Sequence, residues 1–144
     1  MYHRAESDPF VGTLFDGRYL VQSLVACGGM GSIYKANDTR TGMIVALKML
    51  RPELSHDSVI LHRFQLETSV VSRLKHPNIC QLFDAGCVDG DKYYFTMEFL
   101  EGQPLDSILQ QRRVLEPWVA IRYMHQVAAA LCDAHMHGVI HRDL

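Results

Sequence analysis

Positions 19 to 50 read YLVQSLVACGGMGSIYKANDTRTGMIVALKML, and this stretch decides the fold. Apolar and β-branched residues fill three runs, at 19–25, 33–37 and 43–50, which predicts three strands. A glycine turn, Gly28-Gly29-Met30-Gly31, separates the first two runs, and a polar turn at 38–42 separates the last two. Neighbouring strands joined by short turns predict an antiparallel sheet.

The rest of the chain extends this sheet and then becomes helical. It predicts a helix, two strands, two helices and a short last strand, at 57–75, 79–88, 92–100, 105–113, 117–137 and 139–142. His76-Pro77-Asn78 ends the first helix, Asp89-Gly90 is a hairpin turn, and Gly138 ends the last helix. Five strands with one inserted helix, then a linker and helices, predict an α+β fold of two lobes.

Composition narrows the function classes. A length of 144 residues with 48% apolar residues fits a folded domain and speaks against disorder. A net charge of −2 gives no reason to expect a nucleic-acid partner. No apolar run approaches the roughly 20 residues that span a bilayer, and no secretory segment is expected. The four cysteines form no CxxC pair, so we expect reduced thiols, a cytoplasmic location and no metal ligands.

The glycine turn is the first candidate site. It lies between two strands, which argues against a dinucleotide-binding turn or a Walker loop, because both of those open a helix. Glycines let the backbone approach phosphate oxygens closely and present N–H groups to them. A plain hairpin loop is the alternative for this turn taken alone.

Lys48 and Glu67 are the second candidate site. Lys48 lies two residues after Ala46 on a strand, so both side chains share one face. In the helix at 57–75, Glu67 falls on the apolar stripe formed by Ile60, Phe64, Val71 and Leu74. A carboxylate on a buried stripe needs a cationic partner, and Lys48 is the natural candidate. Alternatively, Glu67 reaches water at the edge of the stripe and Lys48 simply extends into solvent.

An ordered series of motifs resembles a known family. It consists of the glycine turn, Val45-Ala46-Leu47-Lys48, Glu67 and, near the end, His141-Arg142-Asp143. This series resembles the signature set of eukaryotic-like (Hanks-type) protein kinases, and the glycine turn is most similar to that of bacterial serine/threonine protein kinases. The resemblance runs from about Tyr19 to Leu144 and covers the N-terminal part of the catalytic domain.

The resemblance implies a domain plan. After a flexible leader at 1–18, the N-lobe would occupy 19–100, with a five-stranded antiparallel sheet, one helix and a hinge strand. The start of a truncated helical C-lobe would occupy 101–144 and end at the catalytic-loop Asp143.

The resemblance also implies an ATP site. Its members would be Ala26, Gly28, Gly31, Ile33, Ala46, Lys48, Met97, Glu98 and Leu100. Ile33 and Ala46 would enclose the adenine, and Lys48, paired with Glu67, would contact the α- and β-phosphates. Met97 would be the gatekeeper, and the hinge backbone at Glu98 and Leu100 would bind the adenine edge. Asp143 would orient the substrate hydroxyl and accept its proton.

The implied reaction is γ-phosphoryl transfer from Mg-ATP to a serine or threonine hydroxyl of a protein. The magnesium ligands are expected after Leu144, so we expect the 144-residue chain to be inactive by itself. A nucleotide-binding pseudokinase or regulatory module is the alternative. An unrelated α+β interaction domain would require the motifs to occur in order by accident.

Overall fold

The computed structural model describes residues 8–141, except for the side chains of Glu67 and Val70. Within this range the chain forms six strands and three α-helices. The strands are β1 (Leu14–Phe15), β2 (Tyr19–Cys27), β3 (Gly31–Asp38), β4 (Ile44–Leu50), β5 (Leu82–Val88) and β6 (Lys92–Glu98). The helices are α1 (Ser58–Val71), α2 (Leu105–Arg112) and α3 (Pro117–Met136).

The strands form one antiparallel sheet in the order β1-β2-β3-β4-β6-β5. It contains the five predicted strands and adds the short β1 at one edge. Asp89 and Gly90 both have positive φ, 56° and 83°, in the three-residue turn between Val88 and Lys92. The pairing of β4 with β6 sets Lys48 opposite Phe95 and Ala46 opposite Met97, so the predicted lysine strand and hinge strand are neighbours.

One face of the sheet carries the main core. Its buried members are Phe15, Tyr19, Val21, Tyr34, Ala36, Val45, Leu47, Met49 and Tyr94. Alternate residues of each strand share a face, so Val45, Leu47 and Met49 point into this core while Ala46 and Lys48 point away from it. The opposite face of β4, which carries Ala46 and Lys48, is therefore not part of this core.

Helix α1 packs against that opposite face. Phe64 of α1 and Phe95 of β6 lie with ring centroids 5.1 Å apart, in a buried cluster with Leu50. Asp57 caps the helix, because its Oδ1 accepts hydrogen bonds from the backbone N–H groups of residues 59 and 60 at 2.9 and 3.2 Å. The helix ends four residues before its predicted end, where Leu74 N–H donates to the carbonyl of Val71 in a tighter turn.

The expected flexible leader is partly structured. Within its described part, residues 8–18, the chain packs against the core face instead of extending into water. The Phe10 ring lies 5.9 Å from that of Tyr34 and 6.1 Å from that of Phe15, edge-to-face in both cases. The Tyr34 hydroxyl donates to Asp8 Oδ2 at 3.0 Å. Residues 8–18 therefore bury aromatic surface against the core face, and the flexibility of the leader stays a prediction.

The helical part ends as predicted, but the strand after it is absent. Gly138 has a φ of 76°, a left-handed conformation that suits glycine after a helix. Residues 139–141, the described part of the predicted strand at 139–142, are not in a strand. A strand requires a neighbour for its backbone hydrogen bonds, and none of the described strands lies beside it. Across residues 8–141, no helix has the length and apolar character needed to cross a membrane.

Candidate nucleotide-binding site

The glycine turn connects β2 and β3 as a hairpin. Ala26 pairs with Ile33 and Cys27 with Ser32, and the Gly28 N–H donates to the carbonyl of Gly31 at 2.9 Å. Ala26 lies in the strand without a positive φ, so alanine at this position carries no backbone strain. Ala26 stands where the resembled kinase pattern has its first glycine, and the observed turn accommodates it.

The glycines of this turn serve different physical needs. A Cβ at Gly31 would lie 2.0 Å from the carbonyl oxygen of Met49, so the close approach of β3 to β4 requires a glycine there. A Cβ at Gly28 would meet only an ordinary contact at 3.9 Å, and one at Gly29 would meet nothing within 4 Å. None of the three has a positive φ. Packing therefore explains Gly31, whereas the fold leaves open space at Gly28 and Gly29.

A cavity of about 250 Å³ lies beside Lys48. Its walls are Ile33, Lys48, Val71, Cys80, Leu82, Phe95 and Met97. The Lys48 ammonium nitrogen lies 5.1 Å from the centroid of the Phe95 ring. The cavity is smaller than the roughly 300–1,000 Å³ of sites for whole drug-sized ligands. Its apolar walls and its single lysine suit a small, partly apolar ligand that carries a negative charge.

The hinge strand forms the side wall of this cavity. Ala46 is 5% exposed and lies opposite Met97, so a small residue faces the gatekeeper position. The Glu98 N–H donates to the carbonyl of Gln81 at 2.8 Å, and the Cys80 thiol donates to the Glu98 carbonyl at 3.5 Å. Burial raises the pKa of the Cys80 thiol and so keeps it a donor at neutral pH. A carbonyl oxygen has two lone pairs, so that of Glu98 can accept a second hydrogen bond.

Two predicted site residues have no described side chain. Position 67 lies in α1, one turn from Phe64 and Val71, but the Glu67 side chain is not described. Asp143 lies outside the described residues. The Lys48–Glu67 ion pair and the role of Asp143 therefore remain predictions. Leu100, the last predicted hinge contact, is exposed beyond the end of β6.

Sequence reasoning missed four of the cavity walls: Val71, Cys80, Leu82 and Phe95. Phe95 could have been found, because it precedes Met97 by two residues on one strand and must share its face. Cys80 and Leu82 reach the cavity only through the folding of β5 onto β6, which has no local signal. Cys27, also missed, is exposed beside the glycine turn. Hydrogen bonds from Ser32 and Arg51 lower the pKa of its thiol.

A second cavity, about 560 Å³, lies between α1 and the β5–β6 hairpin. It is larger than the cavity beside Lys48 and shares only Leu82 with it. Its described walls include no lysine, arginine or glycine-turn residue. Of these two cavities, the smaller is the better candidate for a phosphate-bearing ligand, because it combines apolar walls with a cation.

The chain belongs to the protein kinase family. The family described as "Protein kinase domain" matches residues 19–144. Among solved structures, the kinase domain of PknI from Mycobacterium tuberculosis superposes with a TM-score of 0.79 at 33% identity, over 92% of this chain and 53% of that one. The antiparallel sheet, its single helix and the helices that follow are thus those of a kinase-like fold.

The similar curated proteins are named as bacterial serine/threonine-protein kinases. Pkn3 of Myxococcus xanthus is 38% identical over 96% of this chain and 25% of its own length. PknA of M. tuberculosis is 38% identical over 94% of this chain and 32% of its own length. PrkC of Bacillus subtilis is 35% identical over 93% of this chain and 20% of its own length. The chain therefore spans a fifth to a third of these relatives and matches the N-terminal part of the kinase domain.

Proposed function

We propose that this chain is the ATP-binding part of a serine/threonine protein kinase that transfers the γ-phosphoryl group of ATP to a protein hydroxyl. One observation carries the proposal: a single cavity combines Ile33 from the strand after the glycine turn, Lys48 from β4 and Met97 from the hinge strand. These three residues are far apart in sequence, and each has a nucleotide contact in the family resemblance.

Each part of the site contributes a different interaction. The apolar walls and the small Ala46 receive the adenine ring, and the hinge backbone at Glu98 and Leu100 binds its polar edge. Lys48 supplies positive charge to the α- and β-phosphates. The turn glycines Gly28 and Gly29, which packing does not require, allow backbone N–H groups to approach the phosphates.

We further propose that Glu67 pairs with Lys48 and that Asp143 orients the acceptor hydroxyl and takes its proton. The position of Glu67 supports the first role, because Val71, one turn further along α1, lines the same cavity as Lys48. A buried-side carboxylate next to a lysine is stabilised by that charge.

Magnesium neutralises phosphate charge when it is bound with ATP. Across the described residues, no group of three or more His, Cys, Asp or Glu side chains is arranged to hold a metal ion. We place the magnesium ligands after Leu144, as the resemblance implies. The serine/threonine preference follows the names of the relatives. A cytoplasmic location is supported by the four cysteines, which are free thiols.

The test measures nucleotide binding by residues 1–144, using NMR chemical-shift titrations with ATP and with adenosine. Lys48→Met should weaken ATP binding by roughly ten- to hundredfold, the value of a hydrogen bond to a charged group, and should leave adenosine binding nearly unchanged. Lys92→Met removes a half-buried lysine of the β5–β6 hairpin that pairs with Asp89 and does not line the cavity, and it is the control. Equal ATP affinity in the Lys48→Met and wild-type chains, with the fold intact, would contradict the assignment of Lys48.

A further inference from the structure

Two lysines lie over two phenylalanines along the cavity face of the sheet. Lys48 Nζ lies 5.1 Å from the Phe95 ring centroid, and Lys35 Nζ lies 5.0 Å from that of Phe99. The proposed function uses Lys48, but it gives Lys35 no role. An ammonium group within about 6 Å of a ring centroid is attracted by the negative face of the ring.

Lys35 is on the strand that covers the cavity. It follows Ile33, a cavity wall, by two residues on β3, so both side chains leave the same face of the sheet. Its partner on β4 is Ala46, the small residue opposite Met97. Lys35 is therefore next to the adenine side of the cavity and distant from the turn that would hold the phosphates.

Phe99 is in the hinge segment, beyond the end of the sheet. The last paired residues of β4 and β6 are Val45 and Glu98, and Phe99 is the next residue. Its neighbours Glu98 and Leu100 are the two residues whose backbone would bind adenine. A contact that fixes the Phe99 ring therefore restricts the backbone on both sides of it.

We propose that Lys35 is a positioning residue of the nucleotide site, which fastens the hinge to β3 through the ring of Phe99. This inference rests on the proposed function. The contact extends the attachment of the hinge one residue past the last pair of β4 and β6. It sets the separation between Ile33, above the adenine, and the hinge backbone at its edge. Lys35 acts through Phe99 and does not touch the nucleotide.

The two ligands of the binding test separate this role from direct contact with phosphate. Because Lys35 acts through the adenine-binding hinge, replacing it should weaken the binding of adenosine and the binding of ATP by the same factor. The loss of affinity cannot exceed the free energy of the contact between Lys35 and Phe99, which corresponds to about a two- to fivefold change in affinity. A direct contact with phosphate would instead affect ATP alone, by roughly tenfold or more.

The experiment measures adenosine and ATP affinity of residues 1–144 carrying Lys35→Met, Lys35→Arg or Phe99→Leu, with Lys92→Met as control. Lys35→Met and Phe99→Leu should each give the two- to fivefold loss for both ligands, and the double variant should lose no more than either. Lys35→Arg should retain affinity, because a guanidinium also stacks on a ring face. Additive losses, or a loss confined to ATP, would overturn the proposal.

A series of fluorinated phenylalanines at position 99 tests whether Lys35 acts through the charge distribution of the ring. If Phe99 only filled space, fluorination would leave nucleotide affinity unchanged. Fluorination removes the negative charge of the ring face while nearly preserving its shape, so affinity for both ligands should fall stepwise with each fluorine in the wild-type chain. The same series in Lys35→Met should be flat. Equal slopes in the two backgrounds would refute the role of Lys35. If the wild-type chain binds neither ligand, the proposed function itself fails, which is a different outcome.

Discussion

The ion pair between Arg18 and Asp38 is expected to stabilise the sheet more than any exposed charge pair. The guanidinium donates twice to the Asp38 carboxylate, from Nε at 2.9 Å and from Nη2 at 2.8 Å. Its Nη1 donates to Asp84 Oδ2 at 2.6 Å. Arg18 thus joins the start of β2 to the end of β3 and to β5, across 20 and 66 residues of sequence. We predict that Arg18→Met destabilises these strands.

The magnitude follows from burial. Breaking a fully buried ion pair by removing one partner costs about 3–5 kcal/mol, and an exposed pair contributes about 0–1 kcal/mol. The Asp38 side chain is 5% exposed and that of Arg18 is 21% exposed, which is closer to the buried case. Asp38 also accepts hydrogen bonds from Arg40 N–H and Thr41 Oγ1, both at 3.0 Å, and keeps them in the variant. We therefore expect a loss of about 2–3 kcal/mol.

Hydrogen exchange of the β2 and β3 amides is the suitable assay. Trp118 is the single tryptophan and lies on α3, so its fluorescence does not report on the sheet. A loss of about 2–3 kcal/mol lowers amide protection roughly 30- to 150-fold where exchange follows opening of the whole sheet. Asp84→Asn is the matched control, because Asp84 is 42% exposed and should change protection much less. Protection within about threefold of wild type in Arg18→Met would refute the reasoning.

Acid should remove the same stabilisation. The Arg18 guanidinium holds the pKa of the Asp38 carboxyl well below its ordinary value of 3.8. A carboxyl whose pKa is depressed by folding stabilises the protein above its unfolded pKa, and this stabilisation is lost as the pH falls through the folded value. Protection of β2 and β3 should therefore decline below about pH 4 in the wild type, and Asp38→Asn should flatten this decline.

The remaining predictions concern the glycine turn and Tyr34. Gly31→Ala should destabilise the β3–β4 pairing, because its Cβ would lie 2.0 Å from the Met49 carbonyl oxygen, and thermal unfolding checks this. Gly29→Ala should preserve the fold and weaken the binding of ATP but not that of adenosine, which the binding titration checks. If the fold tolerated the two alanines equally, the packing argument would be contradicted. Burial and the hydrogen bond to Asp8 raise the pKa of Tyr34 from 10 to about 12. A tyrosine whose pKa is higher in the folded than in the unfolded state stabilises the folded protein at a pH below the unfolded pKa. The free energy of unfolding should therefore decline as the pH rises from 10 to 12, and urea unfolding of Tyr34→Phe should show a shallower decline.

The elements with strong periodicity could be predicted from the sequence. Alternation along β4 predicted one face for Ala46 and Lys48, and the structure confirms it, because Val45, Leu47 and Met49 occupy the core on the other face. The hairpin at Asp89-Gly90 was equally clear, because few residues other than these tolerate two successive positive φ angles. In both cases a short-range steric rule determines the outcome.

The elements that depend on distant partners could not be predicted. Residues 8–18 lack any period, and their order comes from aromatic contacts such as that between Phe15 and Tyr94, whose ring centroids are 5.2 Å apart. The short apolar run at 139–142 looked like a strand, but a strand exists only where a neighbour supplies its hydrogen bonds. Cys80 enters the site for a similar reason, because the pairing of β5 with β6 brings it next to the hinge.

The glycine turn shows why one motif can carry two kinds of constraint. Gly31 is required by the fold, since any side chain would collide with the backbone of β4. Gly28 and Gly29 have room for a side chain and no positive φ, so neither packing nor backbone strain accounts for them. Under the proposed function, a phosphate next to Lys48 would approach the backbone closely at these two positions. The motif alone does not distinguish these positions, whereas the space around each one distinguishes Gly31, which the sheet requires, from Gly28 and Gly29, where the proposed function expects a phosphate.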